Sequence, residues 1–227
     1  MNETPGRPSR QKATMGGWTG GWTDDRRRGG MVGMDDMVGM DSMDGMTRAI
    51  GFLELNSIAK GIEAADAMLK AAQVEMYLAT PACPGKYVAL ISGGLDAVQC
   101  ALSAGIACGG EYVIDDLVLP NVAEQVFPAI VGTPEIEHIG AIGVIESLSI
   151  ASLIVAANAA SAAAEVQLVE IRLGSGIGGK SYVTITGAAS DVEAAVASGV
   201  AAIQKTGNIL TFTVIAKPHE DLGKILI

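Results

Sequence analysis

Apolar positions along this chain switch between two periods, and they do so twice. Residues 50–55, 74–79, 87–91 and 112–119 are short apolar or alternating runs, the pattern of strands in a half-buried sheet. Residues 55–72 change to helical spacing, with Lys60, Glu63, Asp66 and Lys70 forming one wet face. A second, alanine-rich helix is predicted after Gly93. Gly93 and the later Gly187 are expected to supply tight turns ahead of such helices, where a side chain would be strained. Ser190-Asp191-Val192-Glu193 reads as a capping box that starts the corresponding helix in the second half.

The same text recurs 92 residues on. Ala49-Ile50-Gly51 with Glu54 and Ser57-Ile58-Ala59 returns as Ala141-Ile142-Gly143 with Glu146 and Ser149-Ile150-Ala151. Ala64-Ala65-Asp66-Ala67 returns as Ala156-Ala157-Asn158-Ala159. Beyond the second predicted strand the offset becomes 94: Gly85-Lys86 matches Gly179-Lys180, Gly93 matches Gly187, and Gly105 matches Gly199. The two extra residues fall where Pro81-Ala82-Cys83-Pro84 stands opposite Leu173-Gly174-Ser175-Gly176-Ile177-Gly178, four residues against six. A duplicated unit is the first thing such a chain declares about its architecture.

The repeat settles an ambiguity. Residues 147–164 are uncharged and long enough to suggest a membrane span, yet they align with the charged 55–72 helix. Both are therefore read as helices on a sheet, the second more fully covered by its neighbours. Each unit runs strand, helix, strand, strand, helix, strand. The expected class is α/β (α+β): two tandem ferredoxin-like modules, each a four-stranded antiparallel sheet with helices on one face. Boundaries are set at 47–138 for copy one and 139–227 for copy two. Residues 1–46 are Gly-rich, with a Met at every third position from Met31 to Met46 and no apolar period. They are expected to be a disordered tail or an over-extended start, with Met46 the working initiator. A Met-rich metal-binding tail is the less favoured reading.

Composition narrows the partners. Hydrophobic residues make up 49% of the chain but aromatics only 4%, so packing must rely on small side chains and close backbone approach. A net charge of -10 repels phosphate backbones and anionic membranes, so neither nucleic acid nor membrane is an expected partner. Cys83, Cys100 and Cys108 are odd in number and lack CxxC spacing, which suits a reduced, cytoplasmic setting. Arg26-Arg27-Arg28 precedes Gly, Met and Asp rather than an apolar core, and is not read as a twin-arginine export signal.

Candidate chemistry is sparse. Glu54 and Glu146 occupy matching strand positions without a nearby His, Lys or Ser constellation, so they read as structural hydrogen-bond partners at a module seam and not as an acid–base pair. The Gly174–Gly179 stretch ends in Lys180-Ser181 without P-loop spacing. No enzyme is expected. Cys100 and Cys108 align with Ala194 and Ala202 and are read as small buried packing residues. His138 is read as a linker surface residue and His219 as structural at most. A lone Cys83 in a loop cannot by itself hold a metal cluster.

Ala49-Ile50-Gly51-x-x-Glu54, Ala64-Ala65-Asp66-Ala67-Met68-Leu69-Lys70 and Val214-Ile215-Ala216-Lys217-Pro218-His219 together resemble the bacterial microcompartment shell domain, in both copies, over residues 47 to about 222. The duplication resembles the tandem-domain class, which implies a homotrimer that forms a pseudohexameric disc and packs with other shell proteins in the microcompartment wall. Pro81-Ala82-Cys83-Pro84-Gly85-Lys86 resembles, more narrowly, the propanediol-utilisation tandem shell proteins, whose pore cysteine binds an iron–sulfur cluster. What this implies is one [4Fe-4S] cluster per trimer, held by three Cys83 thiolates with one iron left for a non-protein ligand, and electron transfer across the shell to enclosed redox enzymes. Lys86 is expected to favour the thiolate. The resemblance further implies a pore lined by Ala82, Pro84 and Gly85 from copy one and Gly174, Ser175 and Gly176 from copy two, with Lys70 and Lys217 at the tile edge. Two alternatives stay open: a metal-free metabolite pore, and a ferredoxin-like regulatory trimer that binds a small effector.

Overall fold

A computed structural model describes residues 48–206 and 208–226; the Met-rich opening segment and the choice of Met46 as initiator lie outside the described residues. Copy one comprises β1 (Ala49–Leu55), α1 (Ile58–Ala71), β2 (Glu75–Ala82), β3 (Lys86–Gly93), α2 (Leu95–Gly109) and β4 (Val113–Leu119). A short helix, α3 (Val126–Val131), follows in the connection. Copy two repeats the order as β5 (Ala141–Ser147), α4 (Ile150–Ala163), β6 (Val166–Leu173), β7 (Ser181–Gly187), α5 (Ala189–Ile203) and β8 (Ile209–Ile215), and α6 (Glu220–Ile225) comes last. The sheets have the orders β2-β3-β1-β4 and β6-β7-β5-β8, antiparallel throughout. This is the expected pair of ferredoxin-like modules. Among the described residues no helix is long and apolar enough to cross a membrane.

Local details differ from expectation in three places. The serines that cap helices are Ser57, which accepts from Lys60 N at 3.3 Å, and Ser149, which accepts from Ser152 N at 3.1 Å. The Ser190 capping box does not form. Helix α5 starts at Ala189, and Ala188 O takes the Val192 amide at 2.9 Å, one of the amides a Ser190 cap would have served. Gly93 and Gly187 do not adopt positive φ. At Gly187 the constraint is proximity: a Cβ there would stand 3.2 Å from Glu165 O and 3.3 Å from a Val166 methyl. Strand β2 also runs on through Pro81 and Ala82, so the turn between β2 and β3 is only Cys83-Pro84-Gly85.

On the helix side of each sheet, small residues bring elements together. A Cβ on Gly51 would lie 2.8 Å from a Val98 methyl and one on Gly143 2.6 Å from a Val196 methyl, so the central strands meet α2 and α5 at glycine in both copies. One contact is solved differently in each copy. In copy one Gly61 of α1 rests on Tyr87, where a Cβ would stand 2.4 Å from the ring. In copy two the same two positions hold Leu153 and Ser181, both buried. The large residue has moved from strand to helix, which keeps the volume nearly constant at close-packed density.

The other face of each sheet decides how the copies meet. In copy one Ile50, Phe52, Val88 and Leu90 point away from α1 and α2, yet all are buried, in one core with Ile150, Ile154 and Ala157 of α4. Helix α4 is thus covered on both sides, which explains its lack of charge. Polar contacts fix the register: Ser149 Oγ donates to Asp115 Oδ2 at 3.2 Å, and Ala123 N donates to Asn158 Oδ1 at 2.8 Å. Helix α3 closes the seam with Val126, Phe127 and Ala129 buried, and Phe127 packs on Tyr77 in a tilted pair at 4.8 Å between centroids. Gly61→Ala should lower the stability of the chain by about 1–3 kcal/mol through overpacking on Tyr87. In a double-mutant cycle read by chemical denaturation, adding Tyr87→Ser should recover part of that loss; purely additive losses would contradict the volume exchange.

Candidate functional site

The connections β2–β3 and β6–β7 come together beside the seam. Cys83 N donates to Gly174 O at 3.1 Å, and Ser175 Oγ reaches Pro81 O at 3.5 Å. A Cβ on Gly179 would stand 2.9 Å from Cys83 O, so the glycine-rich loop lies against the cysteine turn because it has no side chain there. Gly174, Gly176, Gly178 and Gly179 all have positive φ, near 70 to 80°, a backbone that other residues adopt only under strain. The seven-residue loop of copy two is therefore shaped by its glycines, whereas copy one makes a three-residue turn.

The residues expected to line a pore all lie in or beside these two connections. Pro84, Gly85, Ser175 and Gly176 are exposed at the tips, and the Cys83 thiol is free and half-buried. Ala82 and Gly174 are buried against each other, a Gly174 Cβ falling 3.4 Å from the Ala82 methyl, so they form the packed base of the paired loops. Among the described residues of one chain, no group of three or more His, Cys, Asp or Glu side chains could hold a metal ion. Each chain offers one loop thiol, and any metal centre on Cys83 requires more than one chain.

Lys86 does not serve the cysteine. Its Nζ donates to Glu54 Oε1 at 2.7 Å, and Glu54 is almost wholly buried on the seam face of β1. A carboxylate withdrawn from water needs this partner, and the short bond fixes the start of β3. Glu146, the counterpart of Glu54, is only partly buried. Near it on the outer face of copy two, the Tyr182 hydroxyl donates to Glu170 at 2.6 Å and Arg172 Nε donates to the other carboxylate oxygen at 2.9 Å. Burial pushes the Glu170 carboxyl up, but the bonds from Tyr182 and Arg172 and the guanidinium charge outweigh it and hold the carboxyl below the usual glutamate range.

The remaining candidates lie apart from the loops. Lys70 is exposed in the last turn of α1 and pairs with Asp66 at 2.6 Å; Lys217 is exposed just after β8. Cys100 is exposed, contrary to the expectation of a buried packing residue, because it lies off the Val98–Leu102–Gly105 core side of α2; Cys108 is half-buried and packs against the core of copy one. His138 is exposed. His219 caps α6, its Nδ1 accepting from Asp221 N at 3.2 Å. The sequence reading passed over Gln125, whose Oε1 accepts from Leu168 N at 3.0 Å at a bulge in edge strand β6. It also passed over an open cleft of about 250 Å³ where Leu78, Thr80 and Ile130 face Glu170, Arg172 and Ser175. The one available signal was the apolar run Val126-Phe127 in the connection.

Comparison with known proteins finds the BMC domain twice, at residues 49–122 and 141–218. The chain is 41% identical over 181 residues to the bacterial microcompartment shell protein PduT of Citrobacter freundii, covering 80% of this chain and 98% of that protein. It is 28% identical over 187 residues to the carboxysome assembly protein CcmO of Synechococcus elongatus, covering 77% and 67% respectively. Among solved structures, a microcompartments protein from Desulfitobacterium hafniense DCB superposes with a TM-score of 0.76 at 52% identity, covering 78% of this chain and 98% of that one.

Removing the cation that faces Glu54 tests the seam chemistry. Lys86→Met should destabilise the chain by about 2–4 kcal/mol in urea unfolding, since it strands a buried carboxylate. The double variant Lys86→Met/Glu54→Leu should regain most of that loss. A Lys86→Met variant as stable as wild type would show that the pair contributes nothing.

Proposed function

The chain belongs to the BMC-domain shell proteins of bacterial microcompartments, and we propose that three copies close head to tail into a ring of six modules whose centre carries an iron–sulfur cluster on three Cys83 thiolates. It is a structural shell protein, as the relatives named above are, and not an enzyme.

One observation carries the ring. Ile150 and Ile154 of α4 are fully buried against the sheet of copy one, while their counterparts on α1, Ile58 and Ile62, are 42% and 55% exposed. The chain thus presents at one end the helix face that it uses internally at the other. The acceptor for α1 is the outer face of copy two in the next chain, around Val144, Tyr182 and Thr213. A head-to-tail contact of this kind either closes or grows without limit. Covering the two isoleucines contributes roughly 2 kcal/mol each. The acceptor face is more polar than its internal counterpart: Val144, half-buried, stands for Phe52 and Thr213, exposed, for Leu117. Such substitutions keep the face soluble until a second chain covers it.

In a ring with this symmetry the cysteine turns and glycine loops alternate around one axis. The residues fit a cluster: one half-buried loop thiol per chain at Cys83, flanked by exposed Pro84 and Gly85 and by main chain without side chains at Gly174 and Gly179. Three thiolates leave a cubane iron for a ligand from outside the protein. When bound, such a cluster supplies one-electron transfer, here across the shell to redox enzymes enclosed behind it. Ser175 and Gly176 would line the remaining opening, and Lys70 and Lys217 would stand at the rim where the disc meets other shell proteins.

Two experiments test this reading. Wild-type protein should sediment as a trimer, and Ile58→Asp/Ile62→Asp as a monomer with an unchanged circular dichroism spectrum; a wild type that stays monomeric at all concentrations sinks the ring. Anaerobically purified trimer should contain about four irons and four sulfides per three chains, lost in a Cys83→Ser variant that still trimerises. Iron-free wild-type trimer would instead identify a metal-free metabolite pore.

A further inference from the structure

Helices α3 and α6 occupy corresponding places in the two modules. Each follows the last strand of its sheet at the same distance, Val126 N donating to Ala123 O and Leu222 N to His219 O, both at 3.0 Å, with α6 beginning at Glu220, two residues ahead of the position that matches Val126. Counted from Leu119 and Ile215, which pair with Ile50 and Ile142, position 125 corresponds to 221, 126 to 222 and 129 to 225. The surroundings are not alike. Helix α3 is wedged into the internal seam against β6, with Val126 and Ala129 fully buried. Helix α6 has Gly223 buried beside Ile139, but Leu222 is 40% and Ile225 79% exposed. Where α3 presents a valine and an alanine to a covered seam, α6 presents two larger apolar side chains to solvent.

The strands that would receive them differ in the complementary way. Strand β6, under α3, buries Leu168, Ile171 and Leu173. The equivalent edge strand of copy one, β2, leaves Ala79 and Pro81 exposed and Met76 half-covered. Both strands carry the same bulge, between Leu168 and Glu170 in β6 and between Met76 and Leu78 in β2. At the β6 bulge the Leu168 amide points out of the sheet edge and is taken by Gln125. The residue corresponding to Gln125 is Asp221, an acceptor at the start of α6.

We infer that α6 is an inter-chain strap: in a ring of this protein, Leu222 and Ile225 pack on strand β2 of a second copy, and the Asp221 carboxylate accepts the Met76 amide of that copy, as α3 and Gln125 do for β6 within the chain. The inference rests on the ring proposed above. It adds a specific partner segment, because β2 lies next to the Cys83 turn and the strap therefore ties the position of one chain's cysteine loop to the end of its neighbour. An edge strand of this kind is otherwise a template for wrong pairing, and a helix laid across it is one of the ways proteins protect such edges. The acidic Asp221 in place of neutral Gln125 also makes the bond to a backbone amide charge-assisted.

The test uses the full chain. Ile225→Asp alters a side chain exposed in the single chain, so its monomer should fold and melt as wild type does. Its trimer should dissociate at concentrations roughly tenfold higher or more in sedimentation equilibrium. Hydrogen exchange should show the Met76 amide protected in the wild-type trimer, unprotected in Asp221→Ala and protected again in Asp221→Asn, which retains an acceptor. A wild-type trimer with Ile225→Asp equally tight and Met76 exchange unaffected by Asp221→Ala would overturn the strap while leaving the ring intact, and would leave the α6 patch to a different shell protein. A wild type that never trimerises would overturn the ring and the strap with it.

Discussion

A four-stranded antiparallel sheet with helices on one side leaves its other side to water or to a partner. In copy one that second side carries Ile50, Phe52, Val88 and Leu90, and it is buried by α4 of copy two. Nearly every other feature of the chain follows from this contact. Helix α4 can be free of charge because only Ala162 and Ala163 at its end are exposed. Glu54 is buried and must be neutralised by Lys86. The connection between modules must place an apolar helix, α3, in the gap that remains at the sheet edge, and Gln125 must satisfy the bulge amide left there.

The duplication then acts as a rule for exceptions. Where two copies experience the same surroundings, they keep the same residues or exchange volume across a contact, as Gly61 with Tyr87 and Leu153 with Ser181 do. Where the surroundings differ, chemistry changes sign: Asn158 accepts an amide inside the seam, and Asp66, its counterpart on open α1, pairs with Lys70 in solvent. The outer face of copy two is more polar than that of copy one for the same reason.

The loops depart from the rule most. One is a three-residue turn with a thiol, the other a glycine-shaped loop whose amide and carbonyl groups are set by positive φ at four positions. They touch through main chain, Cys83 N to Gly174 O, at an approach that requires Gly179 to lack a side chain, with Ser175 Oγ reaching Pro81 O beside it. That leaves the side chains at the tip free to differ without disturbing the scaffold beneath.

Much of this was legible in the sequence. Period and repeat are local properties, and they determined the eight strands, the strand–helix order, the equivalence of the uncharged α4 with the amphipathic α1, and the loop where the copies diverge. The burial of α4 could be anticipated because a helix without a wet face must be covered. What only the tertiary structure decided concerns contacts between residues far apart in the chain. Lys86 follows the cysteine turn in sequence, but the pleat of β3 and its pairing with β1 carry its amine to Glu54. Ala82 and Gly174 belong to the expected pore loops, yet they back onto each other and are lost to solvent. Helices α3 and α6 are six residues each, too short for a periodic signal, and α3 forms where an apolar gap beside β6 is there to be filled. Sequence period reports which way a side chain faces along its own element; which surface it then meets is fixed by the packing of elements that are distant in the chain.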